Sequence, residues 1–238
     1  MGYRIKVPSR SAPPDEAQLL SGMERAWFAL QRRKAEVGIA VLIMVVVTVV
    51  VGIVVWQDSR HAREAERLEA EATRLFLDRT EDQPKFSPEQ LERAVALYRQ
   101  VVEEYPHSPS APIALFRLGN ALVNQQDYDG AVAAYRNFTE RYGDHPILFG
   151  LVQQRLGYAY LLKGDRDKAV EAFSTVLDIP GTLNKDQALF EVGKLEEAQG
   201  RHVEAMAHYV ELKEKYQNSP YVGEAQMRIK ALEAKTGI

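Results

Sequence analysis

Apolar residues along this chain change their pattern twice. Between Val37 and Trp56 twenty consecutive positions, VGIAVLIMVVVTVVVGIVVW, carry no charge. At about 1.5 Å of rise per residue they make roughly 30 Å of helix, the thickness of a bilayer's hydrocarbon core, so the block predicts one transmembrane helix. Before it, Leu19, Leu20, Met23, Trp27 and Leu30 recur three or four positions apart between Asp15 and Lys34. That stripe fits a helix lying at the membrane surface with Trp27 and Phe28 at headgroup level, or a plain extension of the anchor helix. Residues 1–14 hold Pro8, Pro13 and Pro14 among small and charged residues, a composition expected to be disordered. Beyond the block, Ala62, Ala65, Leu68, Ala72, Leu75 and Phe76 form a helical stripe in a strongly charged background, with no Gly or Pro before Pro84. The span is therefore expected to continue as a stalk helix over 57–82, its far end docked on the downstream helices.

A break falls at Gln83–Phe86. Ser87-Pro88-Glu89-Gln90 then supplies a helix start, with Ser as cap, Pro at the first helical position and Gln completing a capping box. From there to the C-terminus the pattern reads as helices joined by short turns of Gly, Pro or Asp, without strand signals.

These helices repeat. Leu118-Gly119, Leu156-Gly157 and Val192-Gly193 are apolar-glycine pairs inside helical patterns. Twelve residues after each Gly stands an Ala (Ala131, Ala169, Ala205), and four further on an aromatic (Tyr135, Phe173, Tyr209). Ala94 and Tyr98 extend the series backwards, and Pro106, Pro109, Pro146, Pro180 and Pro220 fall near the unit ends. Gly and Ala suit a close crossing of two helices, and the aromatic is expected to fill the space between neighbouring hairpins. Asp127 and Asp165 are candidate caps for the second helices. Over about 88–220 this pattern resembles the tetratricopeptide repeat, with apolar-Gly-x-x-Tyr in its first helix and Ala-x-x-x-Phe/Tyr with a closing Pro in its second. The third unit is the least regular, with Val192 and Glu196 at the family's Leu and Tyr positions. Tyr221–Thr236 suits a solvating end helix. The fold class expected is all-α: an N-terminal transmembrane helix followed by a helix-turn-helix solenoid, divided as 1–36, the span 37–56, the stalk 57–82 and the repeat domain 83–238.

Charge orients the span. Residues 1–36 hold seven Lys/Arg against four Asp/Glu, with Arg32, Arg33 and Lys34 abutting the apolar block. The whole chain carries −3, so the part beyond the span carries −6. Basic residues stay on the cytoplasmic side, which places the N-terminus there and the repeats outside. Some thirty-six residues precede the block and Trp56-Gln57-Asp58-Ser59-Arg60 follows it, unlike a cleaved signal peptide. The chain has no cysteine, excluding disulfides, thiolate metal sites and an acylated-cysteine anchor. Its mild acidity speaks against nucleic acid as partner.

No catalytic constellation, phosphate-binding loop or nucleophile elbow is present. His61, His107, His145, His202 and His208 form no i, i+4 pair, so no metal site, cofactor or enzymatic activity is expected. Asn137-Phe138-Thr139 matches a glycosylation sequon but falls mid-helix beside the packing aromatics. The resemblance implies instead a concave protein-binding groove lined by the first helices, at Phe116, Asn120, Asn124, Gln154, Tyr158, Phe190, Lys194 and Glu197. A family carboxylate clamp would use Asn120 and Lys194, yet Phe116 and Phe190 occupy positions where the clamp has Lys. Phe116, Tyr158 and Phe190 either form an open apolar track for extended segments or pack against the stalk helix. Anchor, stalk and repeats together are similar to the single-pass ancillary subunits of the bacterial Sec translocon. The repeats alone also resemble the periplasmic cell-division coordinators of the Tol-Pal system, through Tyr105-Pro106-His107-Ser108-Pro109-Ser110-Ala111. What these resemblances imply is a single-pass inner-membrane protein with a periplasmic repeat domain. It would act as a chaperone-like adaptor on translocon subunits or exported chains, or else as a scaffold for an envelope complex.

Overall fold

The computed structural model describes Trp27 and residues 34–77, 87–145 and 147–236, and the chain divides into two units, 1–58 and 59–238. The stripe of residues 19–30 (Trp27 apart) and the break at 83–86 lie outside the described residues. Among those described, every regular element is a helix.

In the first unit the chain forms the beginning of α1, Lys34–Leu77, a helix of 44 residues. The large apolar side chains from Ile39 to Trp56 are exposed, and α1 is long and apolar enough to cross a membrane. Thr48, the polar interruption, donates its hydroxyl to the Met44 carbonyl 2.9 Å away, so no hydroxyl is left unbonded in the apolar run. α1 contributes residues 59–77 to the second unit, where Ala65, Leu68 and Ala72 are buried in the main core.

The second unit continues with α2 (Pro88–Glu104), α3 (Ala111–Asn124), α4 (Tyr128–Arg141), α5 (Leu148–Lys163), α6 (Arg166–Asp178), α7 (Lys185–Ala198), α8 (His202–Lys215) and α9 (Val222–Thr236). From α2 to α9 successive helices pack on one another, and α3 also touches α5. The hairpins are α3–α4, α5–α6 and α7–α8, with α9 closing the end through buried Ala225, Ile229 and Leu232.

The repeated residues close each hairpin from within. A Cβ at Gly157 would lie 2.8 Å from the Phe173 ring, one at Gly193 2.6 Å from Tyr209, and one at Gly119 would run into Tyr135. The aromatic therefore sits over the glycine of its own hairpin, which corrects the expectation that it mainly fills the space between neighbours. Each first helix ends in the same way: Asp127, Asp165 and Arg201 donate their N–H groups to the carbonyls of Leu122, Tyr160 and Glu196. That six-to-one closure needs a left-handed residue before it. Gly164 (φ 90°) and Gly200 (φ 79°) supply it, and Gln126 (φ 64°) takes it without a glycine's freedom. Asp127 and Asp165 then cap the second helices, accepting from Gly130 N at 2.9 Å and Lys168 N at 3.3 Å. Ser87 departs from its expected capping box: its hydroxyl bonds the Glu89 carboxylate, not a backbone N–H.

The end of α1 follows the same register. Ala72 is buried, and Thr73, the next residue, hydrogen-bonds Tyr98 of α2 at 2.9 Å. Asn120, the residue after Gly119, accepts from Tyr135 at 2.8 Å in the equivalent way. Residues 59–77 and α2 thus make a further hairpin with Ala72 in the glycine's place.

Candidate protein-binding face

The first helix of each hairpin presents three positions that can be compared by their distance from the crossing residue Ala72, Gly119, Gly157 or Gly193. Three residues before it stand Glu69, Phe116, Gln154 and Phe190. Two before stand Ala70, Arg117, Arg155 and Glu191, and one after stand Thr73, Asn120, Tyr158 and Lys194.

The expected apolar track is not what these side chains form. Phe190 is only 3% exposed, its ring stacked on Tyr221 at 5.1 Å and tilted against Tyr209 at 6.0 Å. It packs against the end of the solenoid, not against the stalk. Lys194 and Arg228 lie 5.3 and 5.9 Å from its ring and complete its cover. Phe116 is half-buried against the main core. Tyr158 is half-buried and sits edge-on to Phe173 at 5.0 Å.

What runs across the first helices is a polar lattice. Between α1 and α3, Arg117 bonds Glu69 and Thr73, and Arg93 of α2 reaches Glu71 at 2.6 Å. Between α5 and α7, Gln154 donates to Gln187 at 2.6 Å, Gln187 donates to the Tyr158 hydroxyl at 2.7 Å, and Tyr158 donates to Glu191 at 3.2 Å. Lys194 pairs with Glu191 at 3.1 Å. Between α7 and α9, Arg228 pairs with Glu197 at 2.9 Å, and Glu197 also accepts from Tyr209 at 3.0 Å. Burial pushes the Tyr158 and Tyr209 phenols well above their ordinary range, and their carboxylate neighbours add to it, so both remain donors. In the irregular third unit Glu196 is buried with its Oε2 3.4 Å from His208 Nε2.

Of the residues read from the sequence, Gln154, Tyr158, Lys194 and Glu197 belong to this lattice. Asn120 bonds within its hairpin, Asn124 is exposed and donates to the Asn120 carbonyl at 2.8 Å, and Phe190 is core. Glu69, Thr73, Arg117, Gln187, Glu191 and Arg228 were not legible as site residues. For Arg117 and Glu191 the signal is the position two before the crossing glycine, from which each meets the preceding first helix. Among the described residues no group of three His, Asp or Glu is placed to hold a metal.

The sequence profile of the family described as tetratricopeptide repeat matches residues 89–146 and 155–220, more than half of the chain. No curated protein sequence matches as a relative. Similar solved structures include the crystal structure of MamA, at 17% identity and a TM-score of 0.51 over 63% of this chain and 80% of that one. Another is a tetratricopeptide repeat protein from Parabacteroides merdae, at 16% identity and a TM-score of 0.58 over 73% of this chain and 61% of that one. At these identities the likeness is one of fold.

Proposed function

The chain belongs to the tetratricopeptide repeat family, and from that premise we propose that it is a membrane-anchored adaptor that binds other proteins on the face of its first helices. In this reading residues 37–56 span the bacterial inner membrane, the basic N-terminal segment stays in the cytoplasm and the repeats work in the periplasm. The site of action is the Sec translocon, where the adaptor meets translocon subunits or newly exported chains. The observation that carries the reading is α1 itself, whose apolar run is bare of protein cover while its later turns are buried in the repeat core. A helix so divided holds the repeats to whatever solvates its apolar half, and lipid is the solvent that suits it.

The polar lattice favours one version of this function. A groove for unfolded apolar clients needs exposed apolar area, and the first-helix face has Phe190 buried and its charges, Arg155 apart, paired between neighbouring groups. Such a face suits a specific partner of matching polarity, either a translocon subunit or, in the second reading, a subunit of an envelope or cell-division complex of the Tol-Pal type. No enzymatic step is assigned to it.

Photocrosslinking from Asn124, which is exposed, in intact membranes tests both parts. One or a few recurrent crosslinked subunits are expected, with translocon subunits supporting the first reading and division-complex subunits the second. A broad smear of exported chains would reject a specific partner. Protease added to spheroplasts should remove residues beyond about 60; full protection until lysis would reject the orientation.

A further inference from the structure

We propose that the seam between α3 and α5 is the point on the first-helix face that receives a partner, and that it receives an extended segment carrying an Asp or Glu side chain beside an apolar one. This rests on the reading of that face as the protein-binding surface and names the chemistry it selects.

The argument is one of register. At Gly119 and Gly193 the residue two before the crossing glycine meets the preceding first helix. Arg117 of α3 reaches Glu69 and Thr73 of α1, which stand three before and one after Ala72. Glu191 of α7 accepts from Tyr158 of α5, one after Gly157. Arg155 is the same position on α5, and the groups it should meet on α3 are Phe116 and Asn120. Neither carries a negative charge: Phe116 stands where Glu69 stands in the preceding hairpin. Among the described residues Arg155 makes no ion pair, hydrogen bond or ring contact, and it is exposed. The seams α1–α3, α5–α7 and α7–α9 are each bridged by side-chain hydrogen bonds; among the described residues no side-chain hydrogen bond joins α3 to α5.

The Arg155 charge also acts on the Tyr135 phenol. Burial pushes that phenol up, and the charge that opposes the shift is Arg155. Tyr135 of α4 donates to Asn120 Oδ1 of α3. With its oxygen taken, Asn120 has its Nδ2 hydrogens left to donate. The seam therefore offers a guanidinium, an amide N–H and the half-buried Phe116 ring, which together complement a carboxylate, a peptide carbonyl and an apolar side chain. A side-chain carboxylate within a segment fits better than a chain terminus, because the face continues past the seam in both directions.

The test uses the full chain in lipid nanodiscs, panned against a phage library of random linear peptides fused at their C-termini, which carry no free terminal carboxylate. The native chain should enrich peptides with Asp or Glu next to an apolar residue. Arg155→Lys should keep that preference, and Arg155→Glu should lose it in favour of Lys or Arg. The best native peptide should bind Arg155→Glu about tenfold or more weakly, the size of a charge-assisted hydrogen bond. Should Arg155→Glu disturb the fold, Arg155→Gln removes the charge alone and carries the same comparison. Peptides enriched without an acidic preference, or with one that Arg155→Glu leaves unchanged, would overturn the inference while leaving the binding face in place. Enrichment of no peptide by any of the chains would overturn both.

Discussion

Truncating Phe190 separates a packing role from a binding role. Its ring is almost fully enclosed by Tyr209, Tyr221, Lys194 and Arg228, so Phe190→Ala removes a buried ring and leaves a cavity between α7, α8 and the start of α9. Phe-to-Ala changes in cores cost about 3–5 kcal/mol, of which the stacked Tyr221 contact is about 0.5–1.5 kcal/mol. A solenoid is stabilised by neighbouring hairpins only, so the loss should stay near the C-terminal end. Amide hydrogen exchange on the full chain reads this directly. Protection in α7–α9 should fall by about two to four powers of ten, with α3 and α4 unchanged. Leu183→Ala is the control, because Leu183 is 98% exposed and should change nothing. Protection in α7–α9 that survives Phe190→Ala would show that the ring is not the core residue its burial implies. Uniform loss across all the helices would refute the assumption of nearest-neighbour coupling.

Two more outcomes rest on the same geometry. Gly157→Leu places a side chain against the Phe173 ring and should lower stability by about 1–3 kcal/mol, read as a fall in Tm, whereas Gly223→Ala in open space should stay within about 0.5 kcal/mol. Equal effects would reject the hairpin crossing. Burial raises the Tyr98, Tyr135, Tyr158 and Tyr209 phenols above their ordinary 10.0 in the folded chain, so this contribution to stability is intact below about pH 10 and declines as pH rises above it. Tyrosinate absorbance should appear together with loss of helical circular dichroism; ionisation of all tyrosines before unfolding would refute the burial.

The parts of the fold that were legible are those that recur in sequence because they recur in space. Gly119, Gly157 and Gly193 could be matched to Tyr135, Phe173 and Tyr209 because the pairing lies inside one hairpin, at constant separation. The apolar run of α1 was legible because twenty uncharged positions stand together, enough helix to cross a membrane by length and composition. The role of residues 59–77 was harder to read. Ala72 replaces the marker glycine, and it stands further from Tyr98 in sequence than Gly119 does from Tyr135, so the register is shifted and the segment looks like a plain stalk. Ser87 also misled, because its hydroxyl has a closer alternative partner in Glu89 than the backbone.

The first-helix face failed for a different reason. Phe190 and Phe116 occupy one repeat position, yet one is enclosed and the other half-exposed, because the difference lies in the next element. Phe190 is followed by the end segment with Tyr221, which stacks on it, while Phe116 is followed by α5, whose residue in the corresponding register is Arg155. A repeat pattern assigns equivalent positions to one face but does not say what the neighbour brings there. Cross-helix partners are fixed by pairs such as Arg117 with Glu69 and Tyr158 with Glu191, whose residues lie in different hairpins and share no local spacing rule. The same reasoning runs in reverse at Arg155: once the pairing rule is known from two seams, the seam where the partner is missing is the place where the chain's own sequence leaves a charge for another molecule to meet.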